Sequence, residues 1–240
     1  LSAENCILSR VNEFTHFWAK TALTVSPVDP IDLQSSSTFP TILYDAVETN
    51  NGLVVFSANQ QFLLNSGADA ILKADTAKID YLSAYAFNKN SNAFSLGSTV
   101  GFINSTAKNA RFFEMNNIQT RTQPQVLEQS LVISKLFPED IVFPAESIEN
   151  NLVLFSQSSL NSSEIWGYKY HNQGDRRVQS AWFRWTLPNK IVYHTIMDDI
   201  YYFILYHATD EKYTLEKIDL KLDDTTTVVG SAPNEYRIYL

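Results

Sequence analysis

The chain has 240 residues, yet it contains one cysteine, Cys6, and only seven glycines. A lone cysteine excludes an internal disulfide and any thiolate metal cluster, and its ordinary place is that of a small buried hydrophobe. No run of 18 or more apolar residues occurs, so no segment reads as a membrane-spanning helix. Positive charge is scarce: 18 lysines plus arginines stand against 26 aspartates plus glutamates, a formal charge of -8. Such a surface repels a phosphate backbone, which disfavours general nucleic-acid binding but suits a surface past which DNA slides. The start, Leu1-Ser2-Ala3-Glu4-Asn5, has neither an initiator methionine nor a signal-peptide layout. Tyr236 to Leu240 still alternate as a strand would, so both ends are expected to be cut from a longer polypeptide.

Recognisable chemistry is also missing. His16, His171, His194 and His207 form no His-x-His or His-x-x-x-His pair suited to a metal. No G-x-S-x-G elbow occurs, and Ser57, Ser156 and Ser158 stand where turns need small polar residues. The segments "NSGAD" and "SLGSTVG" lack the lysine and spacing of a P-loop and read as turns. A retaining glycosidase needs two carboxylates about 5 Å apart. The pair Asp198-Asp199, however, precedes an apolar run at the place that Asn150-Asn151 takes in another run, which favours a turn. Asp223-Asp224 is a weak calcium signal beside a full Asp-rich loop. Catalytic, cofactor-binding and metal-ligating residues are therefore all expected to be none.

What the chain does have is strands. Hydrophobic residues make up 45% of it, in short β-branched and aromatic runs bounded by Asn, Ser, Gly and Asp. Runs begin near Ile7 ("ENCILS"), Leu53 ("NNGLVVFS"), Val100 ("GSTVGFIN"), Leu152 ("NNLVLFS") and Tyr201 ("MDDIYYFIL"), with successive spacings of 46, 47, 52 and 49 residues. Each is followed by a turn and a second, aromatic strand: "FTHFWAK", "QQFLL", "ARFFEM", "EIWGYKY" and "KYTLEKIDL". A strand unit recurring at roughly 50 residues stacks on its neighbours to bury both faces, the plan of a β-propeller. The fold expected is all-β and β-propeller-like, with blades repeating at roughly 50 residues. A β-sandwich, with turn signals every 8 to 12 residues or so, is the competing plan. The glycine shortage removes the kelch signature, no Trp-Asp dipeptide marks WD40 blades, and the sialidase box is absent. Only Pro124 to Phe137, through Val126, Leu127, Leu131 and Ile133, loosely fits a helical stripe.

The segment "RRVQSAWFRW", Arg176 to Trp185, concentrates three arginines and three aromatic rings. As a strand it points Val178, Ser180, Trp182 and Arg184 one way, and Arg177, Gln179, Ala181, Phe183 and Trp185 the other. Aromatic rings on both faces favour a strand packed between layers over a ligand platform. The arginines are expected to stack on rings or pair with carboxylates. Arg176, Arg177, Ser180, Ala181, Trp182, Arg184 and Trp185 are thus read as packing or interface residues.

Several segments together resemble a known family. "ENCILSRVNEFTHFW", "DPIDL" at Asp29 to Leu33, "NGLVVFSANQQFLL", and the stretch from Asn150 to Trp185 are similar to tail tubular protein B, the tail nozzle of T7-like short-tailed bacteriophages. The resemblance spans roughly Glu4 to Trp185. It implies a structural virion protein without enzymatic activity or cofactor, with residues 1–240 as the central β-propeller-like region of a longer subunit. It further implies a homo-hexamer below the adaptor ring, tail tubular protein A, with tail fibres as further partners. Viral DNA would cross the lumen without specific binding. Such a protein would be assembled in the host cytoplasm and reside in the virion tail. The alternative is a carbohydrate-binding or glycan-degrading propeller, with Trp18, Trp166 and Trp182 stacking on sugars.

Overall fold

The structure, a computed structural model, describes residues 4–18, 24–37, 40–67, 71–104, 109–119, 123–157, 162–173, 176–220 and 238–239. The described chain is all-β, and every strand pairing in it is antiparallel. It divides into two compact units, one of residues 1–106 with 111–129 and one of residues 107–110 with 130–240.

In the first unit a two-stranded sheet joins β1 (Asn5–Leu8) to β2 (Ile31–Gln34). A four-stranded meander follows, of β3 (Leu43–Thr49), β4 (Gly52–Ser57), β5 (Gln61–Asn65) and β6 (Lys78–Ser83). A second meander contains β7 (Phe94–Ser95), β8 (Val100–Asn104), β9 (Arg111–Asn116) and β10 (Gln125–Glu128). Val47, Val54, Phe56 and Leu63 of the first meander pack on Val100, Phe102, Phe113 and Met115 of the second. On the other face Val55, Phe62 and Leu64 pack with Cys6, Leu8 and Leu33. Burial on both faces explains why β4 is a continuous apolar run and not an alternating one.

In the second unit β11 (Ile141–Ser147), β12 (Leu152–Gln157), β13 (Glu164–Gln173) and β14 (Arg176–Thr186) form a third meander. A three-stranded sheet of β15 (Lys190–Met197), β16 (Ile200–His207) and β17 (Lys212–Asp219) follows. The short β18 (Ile238–Tyr239) pairs with β14 at Trp182 and Phe183. Leu152, Leu154 and Ile165 pack against Tyr201, Phe203 and Leu205, so one face of each sheet in this unit rests on the other sheet.

The four apolar runs from Leu53 onward are β4, β8, β12 and β16, each the second strand of its sheet, and the aromatic strands after them are β5, β9, β13 and β17. The repeat is also written in irregularity. A register shift falls near the start of the first strand in three sheets, between Leu43 and Asp45, Ile141 and Phe143, and Ile191 and Tyr193. A bulge twists and bends its strand, so these three first strands are re-aimed at equivalent points.

Two expectations are corrected. "FTHFWAK" is not the partner strand of β1. Arg10 donates to the His16 carbonyl at 2.8 Å and His16 to that of Glu13 at 2.9 Å, so this backbone closes local turns and is not free for a ladder. Ala19 and Lys20 lie outside the described residues. Likewise Pro124 to Phe137 is no α-helix: Gln125–Glu128 pairs with β9, and only a 3-10 turn, Leu131–Ile133, follows. Edge pairing to β9 outweighs a weak periodicity.

Candidate functional site

The segment Arg176 to Trp185 lies within β14, paired along its length with β13. Trp182 stands opposite Tyr168, is 4% exposed, and is surrounded by Tyr168 at 4.9 Å, Phe137 at 5.3 Å and Phe155 at 5.8 Å between ring centroids. On the opposite face Phe183 and Trp185 are partly buried against the core of Tyr201, Phe203 and Leu205. The strand therefore presents aromatic rings to two layers. Ser180 is exposed opposite Tyr170, Ala181 is half-buried opposite Lys169, and Arg176 is described by its backbone pairing with Gln173.

Arg177 departs from strict alternation. Asn172 pairs with Arg177 but His171 with Gln179, so Val178 is the bulged residue and Arg177 turns to the face of Trp182. There its Nη1 donates to the Tyr168 hydroxyl at 2.5 Å, its Nε donates to Asn172 Oδ1 at 2.6 Å, and the guanidinium lies 4.4 Å from the Tyr170 ring centroid. Placing Arg177 with Phe183 is thus corrected, because one extra residue inverts the side-chain phase. Arg184 lies 5.6 Å from the ring of Trp166 and pairs with Glu164 at 3.0 Å. Of the three tryptophans offered for sugar stacking, Trp166 and Trp182 are buried and Trp18 is 65% exposed. Burial withholds the first two from a ligand.

A second feature is an open cleft of about 450 Å³ lined by Glu146, Ser147, Ile148, Glu149, Ile196, Asp198 and Asp199. The β15–β16 turn places both Asp198 and Asp199 at positive φ, 51° and 61°, the geometry of a tight two-residue hairpin, so the acidic pair does serve as a turn. Asn150 donates to Asp199 Oδ1 at 2.7 Å, joining this turn to the β11–β12 turn. Burial raises the Glu146 carboxyl above its ordinary value and lowers Lys169, whose Nζ donates to the Asn150 carbonyl. Four carboxylates line this cleft, Glu146, Glu149, Asp198 and Asp199, which disfavours anions there.

The histidines are not brought together as a site. His194 is buried, with Nε2 2.7 Å from the Phe143 carbonyl and Nδ1 3.0 Å from the Tyr201 hydroxyl. His16 faces Glu13, His207 faces Thr214, and His171 is exposed. Among the described residues no group of three or more His, Cys, Asp or Glu is placed to hold a metal ion. Ser57 accepts from Gln60 N at 3.0 Å in the β4–β5 turn, Gly67 and Gly97 are turn residues with positive φ, and Ser158 and Asp223-Asp224 lie outside the described residues. Phe137 and the His194–Tyr201 pair escaped sequence reading, since only the fold brings Phe137 to Trp182.

Residues 1–240 match the family model of the bacteriophage nozzle protein. The chain belongs to the bacteriophage nozzle protein family. It is similar to tail tubular protein gp12 of Escherichia phage T7, with 23% identity over 195 residues that cover 80% of this chain and 24% of that protein. The chain thus spans about a quarter of the length of the relative it matches. The resemblance carried by "NGLVVFSANQQFLL" and "RRVQSAWFRW" is borne out. Phage nozzle proteins are structural components of the tail and not enzymes. Among the described residues of this nozzle protein no helix is long and apolar enough to cross a membrane.

Proposed function

We propose that this chain is the β-propeller-like central region of a tail nozzle subunit that assembles as a homo-hexamer below the adaptor ring and continues the DNA-ejection channel. The match of residues 1–240 to the nozzle family carries this reading. Consecutive antiparallel meanders, each packed face to face with the next within its unit, support the blade plan. Net charge of -8 and the acidic turns at Glu146, Glu149, Asp198 and Asp199 support a tube that lets DNA pass without holding it. The β14 residues Arg176, Arg177, Ser180, Ala181, Trp182, Arg184 and Trp185 act as packing and interface residues in that wall. The subunit is assembled in the host cytoplasm and works in the virion tail, with tail fibres as further neighbours.

The test is sedimentation of the full-length gene product with and without purified adaptor. Co-sedimentation as one ring-sized species is expected. Separate sedimentation of monomer and adaptor at all concentrations overturns the reading.

A further inference from the structure

We infer that the loop between β1 and β2 carries a contact surface for a second copy of this chain, centred on Phe14, Phe17 and Trp18. The loop is closed on itself. Arg10 N donates to the His16 carbonyl and His16 N to that of Glu13, while Val11 N donates to the Val28 carbonyl at 3.4 Å. Asp29 N donates to the Ser26 carbonyl at 2.9 Å, and Ser26 N donates to Asp29 Oδ2 at 2.8 Å. Glu13 Oε2 lies 3.0 Å from His16 Nδ1 and 3.8 Å from Arg10 Nη1, and the His16 and Trp18 ring centroids are 4.4 Å apart. These main-chain groups have their partners and need no further strand. The apolar side chains do not. Val11 is 54% exposed, Phe14 84%, Phe17 49%, Trp18 65%, Val25 63% and Val28 43%. The bond from Val11 to Val28 ties the two arms of the loop together, so these residues belong to one projection.

Area decides the occupant. At the roughly 150–250 Å² of an aromatic side chain, and somewhat less for a valine, these exposures amount to about 600 Å² of accessible surface. That matches the largest apolar patches found on single proteins, about 300–600 Å², which are commonly functional. An interface between like subunits takes about 800 Å² from each, about 65% of it apolar, or roughly 500 Å². One loop thus supplies the apolar share of a whole subunit contact. A sugar ring stacked on Trp18 would leave Phe14 and the valines in water. Composition agrees, because phenylalanine and tryptophan are enriched at the centres of such contacts, and the same turn supplies polar neighbours in Arg10, Glu13 and His16. In a closed ring each contact joins two different surfaces, so the loop meets another face of the next copy. The inference rests on the homo-oligomer reading and adds a surface that the oligomer uses.

Hydroxyl-radical footprinting of the full-length gene product, as a dilute monomer and as the sedimenting oligomer, tests it. Tyr81, 53% exposed in the same unit, is the internal reference. In the monomer Trp18 is expected to react at least as fast as Tyr81, and in the oligomer Phe14 and Trp18 about fivefold more slowly than in the monomer. Slow reaction already in the monomer would place the loop under the subunit's own polypeptide and overturns the inference, as does unchanged reaction in the oligomer. The double variant Phe14→Ser, Trp18→Ser is expected to keep the monomer's Tm and to need about 100-fold higher concentration to assemble. A lowered monomer Tm counts against a free surface. A variant that assembles like the wild type overturns this inference alone, whereas a wild type that stays monomeric at every concentration overturns the homo-oligomer reading with it.

Discussion

Phe183 stands directly across from Gly167 on the neighbouring strand, and its ring fills the space that a side chain at 167 would need: a Cβ there would lie 2.1 Å from Phe183 Cζ. Phe94 and Gly101 repeat the relationship in the first unit, at 2.4 Å from Cε2. Glycine opposite phenylalanine lets a ring lie against the sheet, so two of only seven glycines are fixed by cross-strand packing.

Gly167→Ala is therefore expected to destabilise the protein by about 1–3 kcal/mol, because a Cβ at 167 forces the Phe183 ring out of its packing against the Tyr201 core. Urea denaturation of the variant measures this. Wild-type stability would show that the Phe183 ring can step aside.

Trp182→Ala removes the ring at the centre of the Phe137, Phe155 and Tyr168 cluster. A loss of about 3–5 kcal/mol is expected, with Trp182→Phe retaining part of it. Chemical denaturation followed by tyrosine and tryptophan fluorescence distinguishes the two. A soluble alanine variant with unchanged midpoint would contradict the packing role.

Arg177 joins three side chains through one planar group, which an ammonium cannot reproduce. Arg177→Lys is expected to cost about 1–2 kcal/mol, nearly as much as Arg177→Ala. Full rescue by lysine would show that charge alone matters there, and thermal denaturation of both variants reads the difference.

Much of this architecture was legible in the sequence. The apolar runs at Leu53, Val100 and Leu152 are legible because residues buried on both faces leave an uninterrupted signal, and the run at Tyr201 is legible by its apolar composition although its burial alternates. The acidic pair at Asp198-Asp199 was readable as a turn from its place beside Asn150-Asn151. The bulges were not legible, since an extra residue such as Val178 leaves composition unchanged while inverting Arg177. Phe137 was also missed: it reaches the Trp182 cluster from a loop without periodicity. "FTHFWAK" misled because aromatic content imitates a strand, although Phe14 is 84% exposed.

His194 makes stability depend on pH. Burial lowers its pKa from 6.5 to about 4 in the folded state. The unfolded chain therefore binds a proton first as pH falls, and stability contributed above about pH 6.5 is lost progressively down to about pH 4. The expected loss is about 3 kcal/mol over that window. His194→Gln, which keeps a donor for the Phe143 carbonyl, should flatten this dependence in denaturation curves recorded from pH 7 to 4. An unchanged slope would assign the acid sensitivity to other groups.

Cryo-electron microscopy of the full-length gene product bound to its adaptor tests the central claim most directly. The expected map shows a six-fold ring continuing the adaptor channel, with the β3–β6, β7–β10, β11–β14 and β15–β17 sheets as successive blades in each subunit. A map with no six-fold ring, or with these sheets arranged as a two-layer sandwich, would contradict it.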